Sequence, residues 1–148
     1  MSYQERRALV ALFGTISINA VYLSYMLPRQ PIEDAYSPEV FRFWGGFFLV
    51  LILVSIIFEI ILTIVFSILN TIATREAEPD ITDERDKLIE LKASRNSFYA
   101  FTIGFLVAMI ALVLDMPPST MFLVMMLGGV GSQIVDHLSA FWFYRWGV

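Results

Sequence analysis

Long apolar stretches, separated by short polar ones, dominate this sequence. Four of them are long enough to cross the roughly 30 Å hydrocarbon core of a bilayer as α-helices. They run over about residues 8–27, 43–70, 98–114 and 119–144. Pro28 ends the first stretch, because proline cannot continue a helix interior. The pattern predicts an all-α membrane protein with four transmembrane helices.

The connections between these stretches are short. About fifteen residues containing Pro31 and Pro38 join the first two, and residues 115–118 alone join the last two as a tight antiparallel hairpin. The one substantial polar segment is residues 74–96. Thr82 can cap a helix there, so we expect a short amphipathic helix between the second and third spans, running on into the third. Residues 1–148 are expected to form a single integral membrane domain.

Lysine and arginine predict the orientation, because cytoplasmic flanks of membrane helices carry an excess of both. The N-terminal flank has two, the 74–96 segment five and the C-terminus one, which makes eight on one side. The first loop has two, Arg29 and Arg42, and the hairpin turn has none. Both termini and the 74–96 segment are therefore expected in the cytoplasm.

Composition supports the membrane assignment and excludes several chemistries. The chain is 57% hydrophobic and 16% charged, with a mean hydropathy of +0.69, whereas soluble domains are nearer 45–50% apolar and about 25% charged. It has no cysteine, which excludes disulfides, thiolate metal sites and cysteine nucleophiles. A net charge of −4 argues against direct binding of nucleic acid, which needs a basic surface.

Polar residues recur at helical spacing inside the apolar stretches. Glu59 lies near the middle of the second span, within a stripe of Ser55, Glu59, Thr63 and Ser67. The first span has Thr15 and Asn19, and the fourth has polar residues at i, i+3 and i+4, which share neighbouring faces. We expect a buried polar or proton site formed by Asn19, Glu59, Gln133, Asp136 and His137.

Three interpretations of this polar cluster remain open. It can be a proton- or cation-coupled binding site, because charged groups inside membrane spans often line ion or substrate pathways. It can instead hold the helices together by hydrogen bonds. In the third interpretation, Glu59 contacts another membrane subunit. His137 is the only histidine, and an Asp-His pair alone predicts neither a metal site nor a catalytic dyad. We therefore expect no catalytic residue, no metal and no cofactor, and a protein that is not an enzyme.

The glycines in the fourth span occupy positions 128, 129 and 131. No strand precedes them, so they do not indicate a phosphate-binding loop. Small residues in a membrane helix instead allow another helix to approach closely.

A second candidate site lies in the polar 74–96 segment. It carries charges of both signs around two leucines three residues apart, which is typical either of a solvated helix face or of a surface that binds a small protein. The residues expected to bind a partner are Asp83, Glu84, Arg85, Asp86, Lys87, Leu88 and Leu91.

The same segment carries a family resemblance. Residues 81–99 read ITDERDKLIELKASRNSFY, with NTIATRE at 70–76 and Met-Pro-Pro at 116–118. Together they resemble a family of small, uncharacterised bacterial membrane proteins with four helices, whose genes often neighbour that of a short helix-turn-helix regulator. The resemblance implies the bacterial plasma membrane as the location and a DNA-binding regulator as a partner, and it brings no catalytic residues.

Two functions follow as hypotheses. The first is a non-enzymatic signalling or regulatory membrane protein whose 74–96 segment binds a small transcriptional regulator. The alternative is a small proton- or cation-coupled transporter that uses Glu59 and is a homodimer, since four helices alone enclose little space. The expected partners are the lipid bilayer, the regulator or another membrane subunit, and in the alternative a second copy of the chain.

Overall fold

Four α-helices make up the protein in a computed structural model that describes residues 1–31, 34–74 and 84–147. They are α1 (Tyr3–Met26), α2 (Pro38–Thr74), α3 (Glu84–Val113) and α4 (Pro118–Trp146), with a 3-10 turn at Leu27–Arg29 after α1. Each is long and apolar enough to cross a membrane, and the described residues contain no strand. The prediction of an all-α membrane protein with four spans is confirmed.

The helices alternate in direction, so the start of α1 and the end of α4 lie at the same end of the bundle. We call this the termini end, and the opposite one, with the α3–α4 turn, the hairpin end. Side by side, the helices follow the order α2, α1, α4, α3. Along their described residues, α2 and α3 do not pack against each other. Most of α2 is exposed, and its apolar side chains contact the lipid bilayer.

The α3–α4 pair is the closest in the bundle, and it meets at two glycines. A Cβ atom added at Gly104 would lie 2.6 Å from the Cα of Gly128, and one added at Gly128 would lie 2.9 Å from the Cα of Gly104. The expectation that glycines of the fourth span admit another helix is confirmed at Gly128. It does not hold at Gly129 or Gly131, where an added Cβ meets nothing within 4 Å.

The turn between α3 and α4 is closed by two backbone hydrogen bonds. Met116 N–H donates to the Ala111 carbonyl at 3.0 Å, and Asp115 N–H donates to the Leu112 carbonyl at 3.1 Å. This is the Schellman arrangement, which needs a left-handed residue after the helix, and Asp115 supplies it with a φ of 56°. Pro118 then starts α4, since proline at the first helical position loses no hydrogen bond.

The helix expected between the second and third spans is continuous with the third span. Starting at Glu84, α3 runs for 30 residues because no proline or glycine interrupts it before Gly104. Ile89 and Ala93, one turn apart, are buried. Thr82, the expected cap, lies outside the described residues. At 1.5 Å per residue α3 is about 45 Å long, well beyond the roughly 30 Å of hydrocarbon.

The core of the bundle lies at the hairpin end. We call it the aromatic cluster, and its buried members are Tyr22, Val40, Trp44, Phe47, Leu51 and Met126. Trp44 stacks on Phe122 with ring centroids 5.6 Å apart, and the Tyr22 hydroxyl donates to the Phe47 carbonyl at 2.8 Å. These contacts join α1, α2 and α4 at the hairpin end. Toward the termini end α1 and α2 still touch, with the rings of Tyr3 and Phe66 5.4 Å apart, but a cavity separates the three helices there.

Candidate functional site

A cavity of about 410 Å³ lies between α1, α2 and α4, with Glu90 and Ser97 of α3 also in its wall. Its residues extend along the termini half of the bundle. Asn19 and Ser55 are the lining residues nearest the hairpin end on α1 and α2, and each is about one helical turn from the aromatic cluster, at Tyr22 and Leu51. Arg7 and Tyr144 lie at the opposite end of the cavity. The cavity therefore runs from mid-span to the termini end.

Helical spacing brings the polar residues of three spans to this cavity. Residues four apart on α2 share one face, which places Ser55, Glu59 and Thr63 in the wall, whereas Ser67 is not part of it. All five residues of the predicted polar site line the cavity, namely Asn19, Glu59, Gln133, Asp136 and His137. That they bind or transport anything stays a prediction.

Burial differs among these five residues. Asn19 is only 4% exposed, and Asp136 and His137 are half-buried. Glu59 and Gln133 are exposed, so within one chain they do not form the buried layer that we expected. The reason is that α2 packs mainly on α1 at this depth, which leaves Glu59 at the edge of the cavity. Glu59 also borders a shallow groove on α2 itself, with Ile56, Ile60, Thr63 and Ile64.

A short chain of polar contacts connects α1 to α4. Thr15 Oγ1 and His137 Nε2 share a hydrogen bond of 3.2 Å. On the other side of the ring, His137 Nδ1 lies 3.9 Å from Asp136 Oδ2, which is beyond hydrogen-bonding distance. Asn19 Nδ2 donates to the Thr15 carbonyl at 2.8 Å. The order hydroxyl, imidazole, carboxyl resembles a catalytic triad, but the carboxylate does not orient the imidazole as a triad requires.

The charges in the cavity are unevenly distributed. Three carboxyl groups line it, those of Glu59, Glu90 and Asp136, and Asp136 interacts electrostatically with the other two and with His137. Arg7 lies at the termini end, close to Tyr144. The part nearer mid-span thus has two carboxyl groups and one histidine. Among the described residues, no three His, Asp or Glu side chains are grouped to hold a metal ion.

Sequence reasoning missed the contribution of the start of α3. Glu90 was assigned to a solvated charged segment, yet it lines the cavity together with Ser97. Their separation of seven residues, two helical turns, puts both on one face and was the available signal. Tyr144, near the end of α4, also lines the cavity, and its hydroxyl donates a hydrogen bond to the Asp86 carboxylate.

One family matches most of the sequence. Its description is "Predicted membrane protein (DUF2178)", and the match covers residues 39–146. The chain belongs to the DUF2178 family. The matched region contains nearly all of α2 and the whole of α3 and α4, and therefore Glu59, Gln133, Asp136 and His137, whereas Thr15 and Asn19 precede it. No curated protein and no solved structure matches the chain.

The predicted partner-binding residues also lie within the DUF2178 region, at the start of α3. Leu88 and Leu91 are 44% and 68% exposed, and Glu84, Arg85 and Lys87 are exposed as well. Asp86 is half-buried at its contact with Tyr144. Asp83 lies outside the described residues. The segment therefore has an exposed face with two leucines and a buried face around Ile89.

Proposed function

We propose that this DUF2178 protein binds a small solute in the cavity and moves it across the membrane, coupled to protons or cations through Glu59. One observation carries the proposal: polar side chains from three apolar helices line a single 410 Å³ cavity at the depth of the spans. This volume falls within the usual range of ligand sites, about 300–1,000 Å³. Ionisable residues inside membrane spans commonly mark substrate and proton pathways.

Transport needs access to the cavity from both sides of the membrane. The cavity extends to the termini end, whereas the aromatic cluster packs α1, α2 and α4 together at the hairpin end. In our proposal the termini end faces the cytoplasm, as the lysine and arginine distribution favours. Separation of the aromatic cluster then opens the other side. A second copy of the chain covers the exposed edge of the cavity at Glu59, so the transporter is a dimer.

Proteoliposomes containing the pH dye pyranine test this proposal. Three probes of similar size and different charge are added outside: benzyltrimethylammonium, phenylacetamide and phenylacetate. We expect at least one of them to change the internal pH with the wild-type protein. Glu59→Gln should abolish the change, because it removes the only carboxyl group that α2 contributes to the cavity.

Glu39→Gln is the matched control, since Glu39 is an exposed carboxylate in the first turn of the same helix and outside the cavity wall. It should behave like the wild type. An unchanged proton flux in Glu59→Gln would refute coupling through this residue. The absence of flux with all three probes would refute the transport proposal.

A second function is favoured by a separate observation, the exposed leucines at the start of α3. We propose that this segment binds a small DNA-binding regulator and that the protein is then a non-enzymatic regulatory partner. The resemblance of residues 81–99 to proteins whose genes neighbour such regulators supports the proposal. Exposed apolar side chains within a polar rim are typical of protein-binding surfaces.

Co-purification with a helix-turn-helix regulator encoded in the same genome, beginning with any that neighbours this gene, tests the second function. The double variant Leu88→Glu, Leu91→Glu should lose the regulator and remain in the membrane, because both side chains point away from the buried Ile89. Arg95→Gln changes an exposed charge of the same segment outside the predicted partner-binding residues; it is the control and should retain binding. Retention of the regulator by the double variant would exclude this surface.

A further inference from the structure

We propose that the cavity selects a monovalent organic cation, whose charged group is held between Glu59, Asp136 and the side-chain oxygen of Asn19. This inference rests on the cavity of the proposed function and adds the charge class of its ligand. It is independent of whether the bound ligand is transported.

The first argument is the charge balance near mid-span. Glu59 and Asp136 line this part of the cavity, and no lysine or arginine among the described lining residues lies beside them. The one arginine in the wall, Arg7, is at the termini end near Tyr144. The one basic group beside them is the imidazole of His137, 3.9 Å from Asp136, so at most one positive charge faces two carboxylates, and the remaining negative charge is costly at low dielectric constant. A bound cation removes this cost, whereas an anion would add a third negative charge.

The second argument is an unused acceptor on Asn19. This side chain lines the cavity and is only 4% exposed. Its contact with the Thr15 carbonyl fixes the amide orientation, because a carbonyl only accepts and Nδ2 must therefore face it. Oδ1 is left without a hydrogen-bond partner among the described residues. This acceptor is not among the polar atoms that the described residues enclose completely, so a ligand in the cavity can reach it and donate a charge-assisted hydrogen bond to it.

The third argument concerns the size and the walls of the cavity. Its volume of about 410 Å³ is within the range of sites for organic ligands, about 300–1,000 Å³, and far more than a bare metal ion needs. Three aromatic rings line it, those of Phe58, Phe66 and Tyr144. Aromatic rings attract organic cations through cation–π interactions. Apolar residues such as Ala11, Ile18 and Leu62 complete the wall, so the fitting ligand has a charged head and an apolar body.

Isothermal titration of the purified full-length protein in detergent tests this inference with the same three probes. We expect benzyltrimethylammonium to bind at least tenfold more tightly than the neutral phenylacetamide, and phenylacetate not to bind. Glu59→Gln and Asp136→Asn should each weaken binding of the cation about tenfold or more, because charge-assisted contacts are the stronger ones. The control variant Glu39→Gln should bind benzyltrimethylammonium as tightly as the wild type does.

The possible results separate this inference from the proposed function. Binding of phenylacetamide or phenylacetate as tight as that of the cation overturns the inference and leaves a solute-binding cavity intact. Cation binding without proton flux in proteoliposomes supports the inference and overturns transport. Binding of none of the three probes overturns both. If Glu59→Gln misfolds, Asp136→Asn decides, and an unchanged affinity for the cation in that variant overturns the inference.

Discussion

Replacement of Gly104 by alanine places a methyl group in the contact between α3 and α4. Its carbon would lie 2.6 Å from the Cα atom of Gly128, whereas carbon atoms in van der Waals contact are about 3.5–4.0 Å apart. The methyl group is thus about 1 Å too close. The atom that it meets belongs to the backbone and cannot rotate away, so the two helices must separate by about that distance.

The size of the effect follows from two opposing contributions. Overpacking of this kind costs about 1–3 kcal/mol, and an alanine in a helix is more stable than a glycine by about 1 kcal/mol. We therefore expect Gly104→Ala to lower the free energy of unfolding by up to about 2 kcal/mol. Gly129→Ala has only the second contribution, because nothing lies within 4 Å of its added Cβ, and it should be neutral or stabilising.

Unfolding in mixed micelles of increasing SDS fraction, followed by far-UV circular dichroism, measures both variants against the wild type. Gly128→Ala provides an independent check, since its Cβ would lie 2.9 Å from the Gly104 Cα atom, and it should also be destabilised. Equal transition midpoints for Gly104→Ala and Gly129→Ala would refute the argument, because the two substitutions then differ in nothing that packing can explain.

Two further predictions concern stability at the hairpin end. Trp44 is 1% exposed and stacks on Phe122, so Trp44→Ala should lower the free energy of unfolding by about 3–5 kcal/mol in the same assay. Trp142 is 58% exposed, and Trp142→Ala should lower it far less. Similar losses in the two variants would contradict the packing of the aromatic cluster. Asp115 has a φ of 56°, which glycine adopts without strain, so Asp115→Gly should raise the melting temperature or leave it unchanged, whereas Asp115→Val should lower it. A lower melting temperature for the glycine variant would count against the left-handed turn.

Much of the fold follows directly from the sequence. Apolar length gave the four spans, and the four-residue connection gave the hairpin. The helices begin earlier than the predicted spans where their first residues lie outside the apolar stretch. Helix α2 begins at Pro38 because proline suits the first helical turn. Helix α3 begins at Glu84 because its polar residues form helix as readily as its apolar ones. Helix length depends on backbone propensity, whereas the apolar stretch only measures the part within the bilayer.

The spacing of the polar residues in the sequence identified the site, but it did not predict how exposed each side chain is. Recurrence every four residues shows that Ser55, Glu59 and Thr63 share a face, and it does not show which helix that face meets. Which helices are neighbours in the bundle depends on the packing of whole helices, and no local sequence pattern determines it. The Gly104 contact had a usable signal, since Ala100, Gly104 and Ala108 are four residues apart, a spacing of small residues that is typical of close helix pairs.

The peripheral place of α2 has a consequence for biogenesis. The apolar 18-residue stretch of this helix has the highest mean hydropathy of the four such stretches, and that of α4 has the lowest. A segment as apolar as α2 is stable in lipid alone, whereas α4, with Gln133, Asp136 and His137, depends on neighbouring helices. In a two-stage view of membrane folding, α2 is anchored as soon as it leaves the translocon. The helix with the least hydrophobic spanning stretch, α4, is the last described one to be synthesised, when α1 and α3 are already available as partners on both its sides.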